Sequence, residues 1–273
     1  MEKWICQTCG TQFPPGETPP PGCPICLDPR QYVGHNGQQW TTQAQMQAEG
    51  FHNIFKEHEP GLIGIGTEPK FAIGQRALLV KTPRGNILWD CITLLDEQTA
   101  QEIERLGGIQ AISISHPHYY TSIVDWAERF DASIYLHELD RQWVMRPSER
   151  IEFWSGDQLK LMDDITVVRL GGHFPGSAVL HWPDGTGGQG TLLTGDTISV
   201  AADRRWTSFM YSYPNLIPLP ASEIRHIRDT IEPYRFERLY SAWFETIVES
   251  DARACVLRSA DRYILALEGI LPA

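Results

Sequence analysis

The stretch 109–120, IQAISISHPHYY, constrains the fold more than any other part of this chain. Its isoleucines alternate with serines, which is the period of a half-buried β-strand. Pro117 then ends the strand, because proline has no N–H to donate to a neighbouring strand. His116 and His118 flank this proline, and two imidazoles at the end of a strand can turn toward one point. We therefore predict a metal site whose remaining ligands come from other stretches.

The N-terminus carries a second metal-binding pattern. Cys6 and Cys9 form one C-x2-C pair and Cys23 and Cys26 form another, with 13 residues between the pairs. Four thiolates at this spacing are typical of a closed tetrahedral zinc site. The connecting segment is rich in proline and glycine, so a metal would have to supply its folding free energy. The pairs resemble zinc-ribbon and rubredoxin-type knuckles, and structural zinc is favoured over electron-transfer iron because no flavin or second redox motif accompanies them.

The length and net charge of the chain limit how many domains it can form and which partners it is expected to bind. A chain of 273 residues can form one large domain with an appendage, or two domains. Its net charge of −11 argues against nucleic-acid binding and against anionic membrane surfaces. The chain opens without a signal-like apolar segment, and no apolar run approaches about 18 residues. We expect a soluble, cytoplasmic protein with a small-molecule partner, and its oligomeric state stays open.

Beyond residue 60 the sequence predicts short strands and amphipathic helices. Glycine- and proline-rich turns separate the strand-type runs, and the cluster PDGTGGQG is interpreted as a hairpin turn rather than a phosphate loop, because it opens no helix. Asp96 is the predicted N-cap of a helix that ends at Gly107 and Gly108. Further helices are predicted at 121–130, 222–231 and 251–267, and further strands at 133–137, 165–170, 178–182 and 191–194. Two β-rich halves followed by helices favour a sheet-on-sheet core over a purely parallel sheet.

Two of these strands end in side chains that can bind a metal. His173 follows the first in the run GGHFPGS, and Asp196 follows the second in the run TGDT. Glycines beside each residue let the backbone approach an ion closely. Each residue alone has an ordinary loop explanation. Together with His116 and His118 they supply three imidazoles and one carboxylate, which suit Zn2+, Mn2+ or Fe2+.

This order of residues resembles the metallo-β-lactamase superfamily from residue 51 to the C-terminus. The HxHxDH motif of the family supplies two histidines of the first metal position, and a later histidine and an aspartate complete it. The resemblance implies that His116, His118, His173 and Asp196 hold one active-site zinc, with iron or manganese as alternatives. It also implies an α+β fold, a four-layer αββα sandwich, and the hydrolysis of an ester, thioester, lactam or phosphodiester by metal-activated water.

The chain departs from the family motif at the second metal position. Tyr120 and Thr121 stand where the motif has its aspartate and final histidine. No histidine follows His226, so the usual late ligand is missing as well. Asp196 alone cannot hold a second ion firmly. The sequence therefore predicts at most one active-site metal.

Asp196 and Tyr120 are the candidate catalytic residues. A phenol with a reference pKa near 10 is a poor base at neutral pH, but Tyr120 can donate a hydrogen bond to a ligand or an oxyanion. Aromatic packing is the alternative role for this tyrosine. The loop 201–220 carries Arg204 and Arg205 among several aromatic residues, and we predict that these arginines bind an anionic substrate. A surface loop clamped by its own aromatic side chains is the alternative.

The predicted domain order is a four-cysteine zinc ribbon at 1–34, a linker at 35–50 and a metallo-β-lactamase-like domain at 51–273. Three functions stay open for this arrangement. The first is a mononuclear metal-dependent hydrolase of a small ester, thioester or phosphodiester, with an anionic substrate as one alternative. The second is a non-catalytic relative that keeps the fold for binding or as a scaffold. The third is a redox protein whose ribbon binds iron.

Overall fold

The computed structural model describes residues 1–270 and forms two compact units, one of them Met1–Trp154 and the other beginning at Ser155. Each unit combines helices with β-sheet of mixed direction, which confirms the predicted α+β class. Within residues 1–270, no helix has both the length and the apolar character needed to span a membrane.

The first unit opens with a small antiparallel sheet that carries the cysteine pairs. Its strands are β1 (Glu2–Cys6), β2 (Gln12–Gly16) and β3 (Trp40–Thr41), and their order across the sheet is β2-β1-β3. A four-residue helix, α1 (Pro24–Leu27), begins directly after Cys23 and carries Cys26. The N–H of Gly10 donates to the carbonyl oxygen of Cys6 over 2.8 Å, which closes the turn after β1. The first cysteine pair therefore lies at this turn, and the second lies at the start of α1 and within it.

The segment 35–50, which the sequence predicted as a linker, contains β3 and a short helix, α2 (Gln43–Ala48). The hydroxyl of Thr42 caps this helix by accepting a hydrogen bond from the N–H of Gln45 over 3.2 Å. Met46 is the buried residue of α2. One apolar residue among glutamines gives almost no amphipathic period, and the helix is therefore not visible in the sequence pattern.

The larger sheet of the first unit follows. Its strands are β4 (His52–Glu59), β5 (Leu62–Glu68), β6 (Ala77–Val80), β7 (Ile87–Trp89), β8 (Ala111–Ser113), β9 (Ser133–His137) and β10 (Ile151–Trp154). Neighbouring strands pair in this same order; β4 to β7 are antiparallel, and β7 to β10 are parallel. Because parallel strands end at the same edge of a sheet, β8 delivers the residues after it to the edge where β7 and β9 also end.

Two helices connect strands of this sheet. The first, α3 (Glu97–Arg105), is capped by Asp96, whose carboxylate accepts from the N–H of Thr99 over 2.8 Å. Gly107 and Gly108 follow its end with positive φ, as the sequence predicted. The second, α4 (Ile123–Phe130), begins after a 3-10 turn, Pro117–Tyr119, that contains the second histidine of the HPH run.

The second unit is built on another sheet. Its strands are β11 (Gln158–Lys160), β12 (Thr166–Arg169), β13 (Ala178–Trp182), β14 (Thr191–Gly195), β15 (Ser199–Val200), β16 (Thr207–Ser208), β17 (Met210–Ser212), β18 (Ile217–Pro218), β19 (Arg238–Ser241) and β20 (Ile247–Val248). The main sheet has the order β11-β12-β13-β14-β19-β20, while β15 pairs with β16 and β17 with β18. The predicted hairpin is confirmed, since Leu180 of β13 lies opposite Leu193 of β14.

Helices of the second unit cover a core of apolar side chains. They are α6 (Ala221–Ile231) and α7 (Ala252–Leu267). A short helical segment, α5 (Gly185–Gly188), lies in the turn between β13 and β14, where the sequence predicted no helix. Helix α6 buries Ile224, Ile227 and Ile231, whose spacing places them on one face. Each fully buried isoleucine contributes about 1.5–3 kcal/mol relative to an exposed one. This packing fixes the unit that carries His173 and Asp196.

Candidate metal centre

The four N-terminal cysteines form one buried cluster. The Sγ atoms of Cys6 and Cys26 are 3.5 Å apart, those of Cys9 and Cys23 are 3.6 Å apart, and all four lie within 4.8 Å of one another. A tetrahedral zinc with bonds of about 2.3 Å separates its sulfur ligands by about 3.8 Å. Hydrogen bonds among the four thiols lower the pKa of Cys6 and raise the pKa values of Cys9 and Cys26. The donor set and its dimensions therefore fit a closed metal site.

His116 and His118 lie on the two sides of Pro117, after the end of β8. Both side chains are buried, and their rings are 5.1 Å apart between centroids in an edge-to-face arrangement. The hydroxyl of Ser115 lies 2.9 Å from Nδ1 of His116. Asp90 fixes this serine in turn, because its carboxylate accepts from the N–H of Ser115 over 2.8 Å. The loop is thus held both at its backbone and at its first imidazole.

His173 and Asp196 belong to the second unit and lie beside each other. Nε2 of His173 is 3.9 Å from Oδ1 of Asp196, and both side chains are almost fully buried. Nδ1 of His173 lies 3.0 Å from the carbonyl oxygen of Met210. A carbonyl can only accept a hydrogen bond, so Nδ1 carries the proton and the lone pair of Nε2 is directed to the ligand position. This is the tautomer that binds a metal through Nε2.

The four side chains predicted as ligands come together in the structure. One ligand atom each from His116, His118, His173 and Asp196 lies within 4.8 Å of the other three. Three imidazoles and one carboxylate, all buried, form a donor set typical of Zn2+ and also suitable for Fe2+ or Mn2+. Both metal-binding groups expected from the sequence are therefore present as clusters.

Tyr120 and Thr121 lie outside this set of ligand atoms. The phenol of Tyr120 is buried, and its pKa is raised well above 10 by burial first and by the charge of Asp140 second. It lines a cavity of about 10 Å³ together with Gln12 and Arg146. Thr121 has a φ of +35°, and its carbonyl oxygen accepts a hydrogen bond from the N–H of Gln12 over 2.9 Å. Both residues thus border the N-terminal sheet.

Arg204 and Arg205 are both exposed. Arg204 lies 3.6 Å from Glu245, and Arg205 lies 3.3 Å from Asp203. The same loop does form one wall of a cavity of about 510 Å³ in the second unit, whose other wall is α7. The arginine among the lining residues of this cavity is Arg262, and its guanidinium stacks 4.1 Å above the ring of Trp206.

Three residues that hydrogen-bond to the predicted metal-binding residues were not predicted from the sequence. They are Ser115, Met210, which acts through its backbone carbonyl, and Tyr213. The hydroxyl of Tyr213 donates to the carbonyl oxygen of Asp196 over 2.9 Å. Burial first, and the charge of Asp196 second, raise the pKa of Tyr213, so the phenol keeps its proton. Only Ser115 carried a sequence signal, since it adjoins His116; the other two meet their partners only through the fold.

Several solved structures with a similar architecture are metallo-β-lactamases. TMB-1 matches with a TM-score of 0.59 and 15% identity, covering 77% of this chain and 98% of that one. SMB-1, solved with mercaptoacetic acid, matches with a TM-score of 0.53 and 16% identity over 77% and 94% of the two chains. A Cronobacter sakazakii metallo-β-lactamase described by its HARLDQ motif matches with a TM-score of 0.51 and 17% identity over 79% and 93%. The chain therefore has the metallo-β-lactamase fold, joined to an N-terminal ribbon with four cysteines.

A curated protein is similar over the whole chain. The uncharacterized protein YmaE of Bacillus subtilis (strain 168) is 54% identical over 272 residues, which is 99% of each chain. The chain belongs to the same family as YmaE. No family model matches the sequence.

Proposed function

We propose that this protein is a hydrolase with a single active-site metal, held by His116, His118, His173 and Asp196. The observation that carries the proposal is the meeting of these four buried ligand atoms within 4.8 Å of one another. The substrate class we infer is a small ester, thioester or phosphodiester. The metallo-β-lactamase fold supports this direction, although fold alone does not define an activity.

Residues of the chain take distinct roles in this proposal. A divalent cation bound here would act as a Lewis acid and lower the pKa of a bound water to about 7. Asp196 is the one carboxylate among the four ligands, so one of its oxygens would hold the cation and the other would orient a water and accept its proton. The carbonyl of Met210 keeps His173 in the tautomer that presents Nε2. Zinc is the proposed metal, with iron or manganese as alternatives.

Tyr120 and the two loop arginines have secondary roles. The buried phenol of Tyr120 stays protonated at neutral pH, so it would serve as a hydrogen-bond donor and not as a base. Retained turnover in Tyr120→Phe would assign it to packing instead. Arg204 and Arg205 are exposed, and recruitment of an anionic substrate is their proposed role. Replacing both with glutamine is expected to raise KM for an anionic substrate more than for a neutral one.

The second candidate function is a non-catalytic metal-binding or scaffold protein. It is favoured by Tyr120 and Thr121, which stand where the family motif has an aspartate and a histidine. The Cronobacter sakazakii relative is described by a motif, HARLDQ, that also departs from HxHxDH, at the third and sixth positions. A departure from HxHxDH is therefore found in a protein described as a metallo-β-lactamase, and it does not by itself favour the non-catalytic function.

Turnover by the metal-loaded protein separates these two functions. The full chain, reconstituted with zinc, is assayed against p-nitrophenyl acetate, an acyl-coenzyme A thioester and bis-p-nitrophenyl phosphate. We expect hydrolysis of one of these classes, and a loss of at least about a hundredfold in His116→Ala. His52→Ala, which removes an exposed histidine, is the matched control and should retain the rate. Zinc-loaded wild type that is no faster than His116→Ala would favour the non-catalytic function.

The ribbon metal is proposed to be structural zinc. Its four buried thiolates suit zinc and iron alike, so reconstitution decides between them. Protein that stays colourless after aerobic iron reconstitution would count against the redox function. A stable red iron centre with reversible reduction would instead favour it. A small-molecule partner and a cytoplasmic location remain proposals beside the activity.

A further inference from the structure

The turn that carries Cys9 is bonded to the loop that carries the active-site histidines. Directly after this turn, at the start of β2, the N–H of Gln12 donates to the carbonyl oxygen of Thr121 over 2.9 Å. The carbonyl oxygen of Gly10 accepts from the hydroxyl of Thr93 over 3.0 Å. Gly10 has a φ of +80°, and a Cβ here would lie 2.3 Å from that hydroxyl. The approach is close enough that only glycine fits.

An ionic cluster joins the small N-terminal sheet to α4, the helix that follows the histidine loop. The carboxylate of Asp125, in the first turn of α4, accepts from Lys3 over 2.6 Å and from the side chain of Gln12 over 2.7 Å. Arg146 reaches both Asp125, over 2.6 Å, and Gln12, over 2.5 Å. Burial opposes ionisation of Asp125, but the hydrogen bonds from Lys3, Gln12 and Arg146 outweigh it and lower its pKa. The cluster is charged and largely buried, with 16% of the Asp125 side chain exposed.

Between these two contacts, the residues after His118 face the ribbon. The cavity that Tyr120 lines with Thr11 and Gln12 has a volume of about 10 Å³, which is no more than one water molecule occupies. The hydroxyl of Thr121 donates to the carbonyl oxygen of Ile92, which places it within the protein. Ribbon and loop therefore pack closely against each other at Tyr120 and Thr121.

We propose that the ribbon positions the 116–121 loop, so that the metal site at the histidines depends on an intact, metal-loaded ribbon. Gln12, Asp125 and Arg146 are the positioning residues in this account. Loss of the ribbon metal would release the turn at Cys9, and with it the hydrogen bond that holds Thr121. The inference concerns metal binding at His116 and His118 and does not require turnover.

Cobalt titration of the full chain tests this coupling. Co2+ bound by four thiolates gives intense charge-transfer absorption, whereas Co2+ bound by imidazole and carboxylate gives weaker visible bands, so the two sites are followed separately. Asp125→Asn keeps all four cysteines but weakens the docking cluster. We expect about tenfold weaker Co2+ binding at the histidines with altered visible bands, since supporting residues of metal ligands typically change affinity by 10–100-fold. Asp125→Glu, which keeps the charged acceptor, should restore most of the affinity.

Two further variants complete the test. Asp157→Asn removes a 2.7 Å ion pair with Arg169 in the second unit and should leave both cobalt spectra unchanged. Cys9→Ser should remove the thiolate bands and also weaken cobalt binding at the histidines. Wild-type affinity and visible bands at the histidines in both Asp125→Asn and Cys9→Ser would overturn the inference. Because wild type is titrated first, that result would leave the metal site and the proposed hydrolase function standing.

Discussion

The hydroxyl oxygen of Ser115 lies 2.9 Å from Nδ1 of His116. If His116 binds its metal through Nε2, this serine accepts the Nδ1 proton and fixes both the tautomer and the ring orientation. We therefore expect Ser115→Ala to weaken metal binding by about 10–100-fold, the usual effect of losing such a partner. Competition titration of zinc against a chromophoric chelator measures the change.

Ser113 provides the matched control for this prediction. It is fully buried two residues earlier on β8, and its hydroxyl has no hydrogen-bond partner among residues 1–270. Ser113→Ala removes the same atom and should leave the zinc affinity as it was. Equal effects of the two substitutions would mean that the Ser115 hydroxyl has no specific role at His116.

Asp196→Asn tests the carboxylate of the site. An amide is a weaker metal ligand and cannot accept a proton from water, so affinity and turnover should both fall. We expect a loss in kcat of about 10²–10⁴-fold, the range typical of a general base. Asp229→Asn changes an exposed carboxylate on α6, paired with Arg228, and should keep the wild-type rate. Assays at saturating zinc separate the catalytic loss from weaker metal binding; full activity of Asp196→Asn there would remove Asp196 from the chemistry.

His58 predicts how the stability of the first unit depends on pH. Burial first, and then the charges of Arg76 and Lys56, lower its pKa from 6.5 to about 3. His58 is therefore protonated below about pH 6.5 in the unfolded chain but only below about pH 3 in the folded chain. Because the unfolded chain binds more protons between these values, the free energy of unfolding falls as the pH drops from about 6.5 to about 3. Replacing His58 with glutamine should make this decline shallower. Urea midpoints at pH 7, 5.5 and 4.5 measure it.

The exposed His52, on the same strand β4, serves as the control for this titration. His52→Gln should follow the wild-type decline in urea midpoint. If the urea midpoints of wild type and His58→Gln fall equally between pH 7 and pH 4.5, His58 does not cause the loss of stability at acid pH. At pH 7 His58 is mostly neutral in both the folded and the unfolded chain. The difference in urea midpoint between wild type and His58→Gln at this pH therefore measures any loss of packing.

The sequence predicted the residues of the histidine and aspartate cluster because they follow closely after hydrophobic strands. His116, His173 and Asp196 come just after strand-type runs, and strand ends are where a sheet presents side chains to a common edge. The Asp96 cap and the hairpin joining β13 and β14 were predictable for the same reason, since each depends on neighbours in the chain. The cysteine pairs needed only their spacing.

Contacts between residues far apart in the chain could not be predicted from local sequence patterns. Helix α2 has one buried side chain, Met46, and so it leaves no amphipathic period. The bond between Gln12 and Thr121 joins residues that no local pattern relates. Met210 supports His173 through a backbone carbonyl, which every residue type provides. Such partners are set by tertiary packing, and that packing is the reason the environment of Tyr120 became clear only in the structure.

Metal content per chain is the most direct test of the central claim that two separate donor sets hold metal. Elemental analysis of full-length protein equilibrated with zinc and then desalted should give two zinc ions in wild type and one in His116→Ala, because the buried cysteine cluster is left intact. The double variant His116→Ala with Cys9→Ser should give none. One zinc in wild type that persists in His116→Ala would contradict the account, since the histidines and Asp196 would then hold no metal.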